Sequence, residues 1–334
     1  MERKKQVRIG IVGPGWIATA HKHGIDRSGC AELVAITGGS RERLDRRGAE
    51  WGVPTAASLA DLVRDHRLDA AWVLSPTPVH YEQLCYLLSA GIPALVDKPP
   101  TLTVGEALEI DAELARTGGF IMPGHNRVYE AAVQGARSII EAGSLGKVVS
   151  GNFTSIGRPP VELMEGWRKT LRNPGGGALA DSGYHLVYLS IYLLGPPTSV
   201  FGSQATVSWE LQSEDTATAV LCYEGGVAAT LLQSWATENP ARTPDVTIWG
   251  TEGTLTLCDG RLSLNGTDVA VDREQDPFTE MVRTFVSAVR DGARPIQSFD
   301  DAVTTMAICD AYYRSCETGC QEAVDRLSSA GGPR

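Results

Sequence analysis

The residues from Val7 to Ala18 restrict this chain more than any other stretch. A short β-rich run, Val7 to Val12, ends in Gly13-x-Gly15-x-x-Ala18, and helix-like sequence follows. A strand that turns at once into a helix needs a residue without Cβ at the turn. It needs a second bare residue where backbone must approach a ligand, and a small third one where helix and strand pack. The first N–H groups of that helix then face out of the sheet edge, an arrangement that receives phosphate. The pattern predicts a dinucleotide-binding turn built on Gly13, Gly15 and Ala18, with Trp16 between them.

The runs that follow extend this reading. Leu33 to Ile36, Ala70 to Leu74, Ala94 to Val96 and Phe120 to Met122 read as further strands, separated by helix-like segments. Ser58-Leu-Ala-Asp61 has the form of a capping box, and His80 to Ala90 carries apolar residues at helical spacing up to Gly91. Strands alternating with helices predict a doubly wound parallel sheet over residues 1–123, a Rossmann domain. After Pro123 the pattern changes to a helix near Glu130 to Ala142 and a strand near Val148 to Thr154. Between 200 and 271, alternating segments are broken by Glu224-Gly-Gly226, Thr251-Glu-Gly253 and Asn265-Gly266. Residues 124–334 are therefore expected to form an α+β domain on a mostly antiparallel open sheet, closed by helices over Pro277 to Asp291 and Phe299 to Cys316.

Composition excludes several classes of function. A net charge of −10 over 334 residues argues against a nucleic-acid partner, which needs clustered cations. No run approaches the ~18 apolar residues of a membrane span. The basic start at Met1 to Lys5 lacks the apolar core of a secretory signal, so a cytoplasmic protein is expected. The seven cysteines form no C-x-x-C pair. Cys316 and Cys320 lie a helical turn apart without a histidine to complete a metal site, so no metal is expected.

Three further segments carry candidate chemistry. After the second strand comes Thr37-Gly-Gly-Ser40-Arg41, where an NAD-preferring domain places an acid for the adenosine ribose. Without that acid, Ser40 and Arg41 suit a 2′-phosphate, so NADP is favoured over NAD; a solvated turn is the alternative. Ser75-Pro-Thr77-Pro-Val-His80 follows another strand and puts Ser75, Thr77 and His80 in the cofactor crevice, although His80 serves equally as a helix-start residue. Lys98, directly after the Leu95-Val-Asp run, faces the cleft at the carboxyl end of a parallel strand, where open α/β sheets bind ligands. Asp181 and His185 are four apart and would share a helix face, a carboxylate orienting a proton-accepting imidazole. A capping Asp with a structural His fits the same spacing.

Taken in order, Gly13-x-Gly15-x-x-Ala18, Lys98-Pro99, Trp167-Arg168, the triple glycine 175–177 and Asp181-x-x-x-His185 resemble the Gfo/Idh/MocA oxidoreductase family, which includes glucose-fructose oxidoreductase and inositol dehydrogenase. Gly124-His-Asn-Arg127 and Tyr313-Arg-Ser-Cys-Glu-Thr-Gly319 extend the resemblance over nearly the whole chain. It implies hydride transfer between NAD(P) and a sugar-like hydroxyl or ketone, and an open sheet that builds a homo-oligomer, a dimer or tetramer. Lys98, Asp181 and His185 match the family's catalytic positions. Asn126, Trp167, Arg168 and Tyr184 fall on the substrate side, facing a carbohydrate-like small molecule. Asp97 replaces the usual Glu before the Lys, and Tyr188 stands where many members have another Asp. A non-enzymatic NAD(P)-sensing regulator of the same fold is the competing expectation, and a cofactor that stays bound and is recycled is a third.

Overall fold

A computed structural model describes residues 5–164, 169, 176–238 and 243–325. Six parallel strands form the first sheet: β1 Val7–Val12, β2 Ala31–Thr37, β3 Thr55–Ala56, β4 Ala70–Val73, β5 Ala94–Val96 and β6 Ile121–Pro123. Their order is β3-β2-β1-β4-β5-β6. This is the doubly wound order, in which the connections leave β1 to opposite sides and open a crevice between β1 and β4. Every residue of β4 and β5 is buried. That two-sided burial explains why both strands read as unbroken apolar runs.

Local signals define several helix starts around this sheet. Helices α1 Ile17–Ser28, α2 Arg41–Trp51, α3 Leu59–His66, α4 His80–Ser89 and α5 Val104–Thr117 connect the strands. Ser58 caps α3 by accepting from Asp61 N at 3.1 Å. Thr103 and Glu106 form a reciprocal capping box at the start of α5, a T-x-x-E signal that the sequence carries.

The first unit is not contiguous in sequence. Of the described residues, it comprises those through Tyr129 together with Gln275–Ala302, while those within 130–274 and 303–325 form the second. The expected boundary after residue 123 thus falls at 129, and the helix Pro277–Asp291 moves to the first unit. The reason is its apolar stripe, Met281, Val282, Phe285 and Val286, all buried. Phe285 packs on Trp72 at 5.2 Å and Phe120 at 5.5 Å between ring centroids. Gly24 lets α1 come so near that a Cβ there would lie 2.7 Å from the Phe278 carbonyl carbon.

The second unit holds a nine-stranded mixed sheet. Its strands are β7 Val148–Ile156, β8 Ser199–Ala205, β9 Thr216–Cys222, β10 Ala228–Ser234, β11 Val246–Gly250, β12 Thr254–Cys258, β13 Arg261–Leu264, β14 Thr267–Val269 and β15 Glu322–Ala323. The order is β14-β13-β12-β11-β7-β10-β9-β8-β15, and among the described residues only β7 and β10 pair in parallel. Register places Trp249, Ser150, Ala228, Cys222 and Ser199 in one row, with Asn152, Thr230, Val220 and Phe201 in the next row on the same face. Trp249 and Phe201 in those rows are exposed. Alternate residues such as Phe153, Leu231 and Leu221 are buried on the other face, the alternation of a sheet covered on one side. Among the described residues, no helix is long and apolar enough to cross a membrane.

Candidate active site

In the first unit, the candidate residues cluster at the carboxyl ends of β1, β2, β4 and β5. Gly13 has φ +90°, and a Cβ there would overlap the Ser75 main-chain nitrogen. Its own N–H donates to Thr37 O at 2.8 Å, tying the turn to β2. Gly15 is different: a Cβ added to it would meet nothing within 4 Å. Helix α1 starts just beyond with no side-chain cap, so a backbone free of Cβ adjoins the start of a helix, as a pyrophosphate requires. Ala18 is fully buried and Trp16 is 61% exposed.

At the end of β2, Gly38 (φ +92°) and Gly39 (φ +77°) form the turn, a backbone region that favours glycine. Ser40 Oγ accepts from Arg43 N at 3.4 Å and caps α2. Arg41 is exposed, with Nε 2.8 Å from Asp45 Oδ2 one turn on. No acid occupies residues 37–40.

His80 requires a correction to the expected cofactor set. It is buried, with Nε2 2.6 Å from Ser75 O and Nδ1 3.0 Å from Pro99 O. Burial pushes its pKa below the ordinary imidazole value, while the Ser75, Pro99 and Pro100 carbonyls pull the other way. A neutral ring donates to one of these oxygens and packs against the other, so His80 fills the space between the loop after β4 and the turn after β5. Thr77 is also buried. Ser75 Oγ donates to Gln83 Oε1 at 2.6 Å.

Lys98 is half-buried at the end of β5, and its peptide bond to Pro99 is cis. Beside it, His125 is fully buried with Nδ1 2.6 Å from Gln297 Oε1. Burial brings His125 down to about 3, Gln297 opposes this, and the Lys98 charge adds to it. Lys98 thus neighbours a neutral imidazole. Asn126 follows, half-buried, at the start of the 3₁₀ turn Asn126–Tyr129. Sequence reasoning missed the role of His125 and of Gln297. The histidine in Gly124-His-Asn-Arg127 was a signal, but its partner lies 172 residues away.

In the second unit, the candidate residues lie on the approach to the helix Tyr184–Leu194. Asp181 sits in a π-helical turn, Leu179–Gly183, and His185 in the α-helix that continues it. The plain α-helical spacing expected for this pair is therefore interrupted, in a form often found at functional sites. Both side chains are half-buried. The turn is anchored by Glu214, a buried carboxylate that accepts from Leu179 N at 2.9 Å and from the Tyr313 hydroxyl at 3.0 Å. Tyr313 oxygen accepts in turn from Ala180 N at 3.2 Å. Gly177, with φ +110°, leaves room for this carboxylate, since any Cβ there would overlap it. Trp235 Nε1 donates to Ser182 Oγ at 3.0 Å.

The Tyr188 hydroxyl lies 2.7 Å from His185 Nδ1. Tyr184, expected as a substrate contact, is instead fully buried with its ring edge-on to Tyr188 at 6.1 Å. It packs the helix, because its position points into an almost wholly buried stretch. Trp167, Arg168 and Gly175 lie outside the described residues, leaving Gly176 and Gly177 of the triple glycine.

The chain resembles known proteins along most of its length. Residues 7–125 match the oxidoreductase family with an NAD-binding Rossmann fold, and residues 133–256 match the GFO/IDH/MocA C-terminal domain. The chain is 25% identical to D-apiose dehydrogenase of Paraburkholderia graminis, over 94% of this chain and 89% of that protein. It is 24% identical to scyllo-inositol 2-dehydrogenase (NAD(+)) of Bacillus subtilis, over 96% and 97% of the two chains. The WlbA dehydrogenase of Bordetella pertussis, solved with NADH and UDP-GlcNAcA, superposes with a TM-score of 0.85 at 22% identity, covering 97% of this chain and 99% of that one. With both of its domains matched, and a bare glycine turn at an uncapped helix start where the first match lies, this chain belongs to the GFO/IDH/MocA family of oxidoreductases.

Proposed function

We propose that this protein transfers a hydride between the nicotinamide of NAD(P) and a secondary hydroxyl or ketone of a sugar, sugar derivative or cyclitol. The observation that carries the reading is the retention of Lys98, Asp181 and His185 in a chain whose Gly15 turn is open to a pyrophosphate. NAD(P), when bound, supplies the acceptor for the hydride and its electron pair. The residues handle the proton. His185 takes it from the substrate hydroxyl as the carbonyl forms, and the Lys98 ammonium hydrogen-bonds the reacting oxygen. Asp181 holds a neighbouring substrate hydroxyl or the imidazole. A polyhydroxylated ring suits these polar side chains and the names of the curated relatives. A panel of pentoses, aminosugars, polyols and cyclitols, offered with both cofactors and followed by cofactor absorbance, tests the reading. Tight cofactor binding with no turnover in either direction would move it to a sensing regulator.

The turn after β2 bears on cofactor choice. Binding of NADP at least as tight as NAD is expected, because residues 37–40 hold no acid and Arg41 is at hand. Arg41 must leave Asp45 to reach a phosphate, but an exposed i,i+4 pair is worth only ~0.3–0.5 kcal/mol. Calorimetry decides: NAD binding more than about tenfold tighter, ~1.4 kcal/mol, sinks the phosphate role. Arg41→Ala should weaken NADP alone.

The sheet face bearing Trp249 and Phe201 is proposed as a homo-oligomer contact, since exposed aromatics on a sheet face favour cover by a second copy. Light scattering at micromolar concentration should give a dimer or tetramer, and Trp249→Ser should shift it towards monomer. A monomeric parent protein refutes the contact. We place the protein in the cytoplasm, a reducing compartment that suits seven free cysteines.

A further inference from the structure

His185 and Tyr188 are one turn apart on the same helix, so their pairing needs no other element to bring them together. The phenol oxygen is 2.7 Å from Nδ1, and the rings meet edge to face with centroids 5.4 Å apart at 68°. Tyr188 is fully buried and its ring also meets Tyr184 edge-on. Packing thus fixes the phenol, and the phenol fixes the imidazole. A neutral imidazole has one donor and one acceptor nitrogen, and a hydroxyl beside Nδ1 can meet either, so the direction of this one bond decides which role Nε2 plays.

We infer that Tyr188 is the positioning residue of His185. Nδ1–H donates to the Tyr188 oxygen, which holds the neutral ring in the tautomer whose Nε2 lone pair accepts the substrate proton. This rests on the reading of His185 as proton acceptor. A phenol does the work with a chemical difference from an acid at the same place. It is neutral below its ordinary pKa of about 10 and orients the ring without adding charge beside Asp181.

The test is the nitrogen-15 ring spectrum of His185 in the whole protein at about pH 8, above the ordinary imidazole range. The signal is assigned by its loss in His185→Gln. The expected result is a pyrrole-type Nδ1 and a pyridine-type Nε2 in the parent protein. In Tyr188→Phe, which removes only the hydroxyl, the two shifts should move towards each other as the tautomers mix. With a turnover substrate, kcat should fall about tenfold while KM and cofactor affinity hold. A parent protein with the proton on Nε2 overturns the inference without any variant, as does a folded Tyr188→Phe with an unchanged His185 spectrum. Normal turnover in His185→Gln would instead overturn the proton-acceptor reading and leave the tautomer measurement standing.

Discussion

His185→Ala should lower turnover by about 10²–10⁴-fold, the usual loss when a positioned general base is removed, while cofactor affinity stays nearly unchanged. Gly13, Gly15 and the loops after β2, β4 and β5 belong to the first unit, whereas His185 belongs to the second. Loss of the imidazole therefore leaves the nucleotide turn untouched. Lys98→Ala should be at least as damaging, because an ammonium at the reacting oxygen stabilises the charge that develops there. A primary deuterium isotope effect shows whether the hydride step is being observed. Near-normal single turnover in His185→Ala together with a dead Lys98→Ala would transfer the proton role to Lys98.

Mild acid should destabilise the fold strongly. His21 and His125 are both fully buried, and burial lowers each to about 3. His21 lies between the rings of Trp72 and Phe278, and its Nδ1 has no hydrogen-bond partner. Below pH 6.5 the unfolded chain takes up protons that the native one refuses, so stability is present above that pH and is lost as pH falls. Each histidine costs about 1.4 kcal/mol per pH unit in that window. By about pH 5 the pair removes about 4 kcal/mol, a large part of the ~5–15 kcal/mol typical of a folded domain. His80, also lowered, acts in the same sense. Urea unfolding at about pH 7.5 and pH 5 measures the loss, and His21→Leu should roughly halve it. Parallel pH slopes for variant and parent would show that His21 is not the group responsible.

The parallel sheet was legible because β1, β4 and β5 are short apolar runs between helical segments, and the Gly13 turn because its chemistry is local. Asp181 and His185 were legible as a pair four apart, but the π turn between them was not, since Glu214 and Tyr313 set it from 33 and 132 residues beyond Asp181. His125 was visible as a residue but not as a partner of Gln297. Two-residue strands such as β3 and β15 are too short to carry a pattern. The helix Pro277–Asp291 was placed correctly along the chain and assigned to the wrong neighbour, because an apolar stripe announces burial without naming the surface that covers it. His80 was ambiguous until both ring nitrogens were seen against main-chain oxygens.

That returning helix has a consequence for how the protein is made and remade. On the ribosome, the nucleotide unit has all six of its strands by Pro123 but lacks Phe278 and Phe285 until the last fifth of the chain emerges. Until then Trp72, Phe120 and His21 are without those aromatic covers. The same dependence governs chimeras. A graft of a relative's C-terminal portion at one junction near residue 130 would set a foreign helix, in place of the one bearing Phe285, against the resident Trp72. An exchange that respects the fold cuts at three places, after Tyr129, after Glu274 and after Ala302.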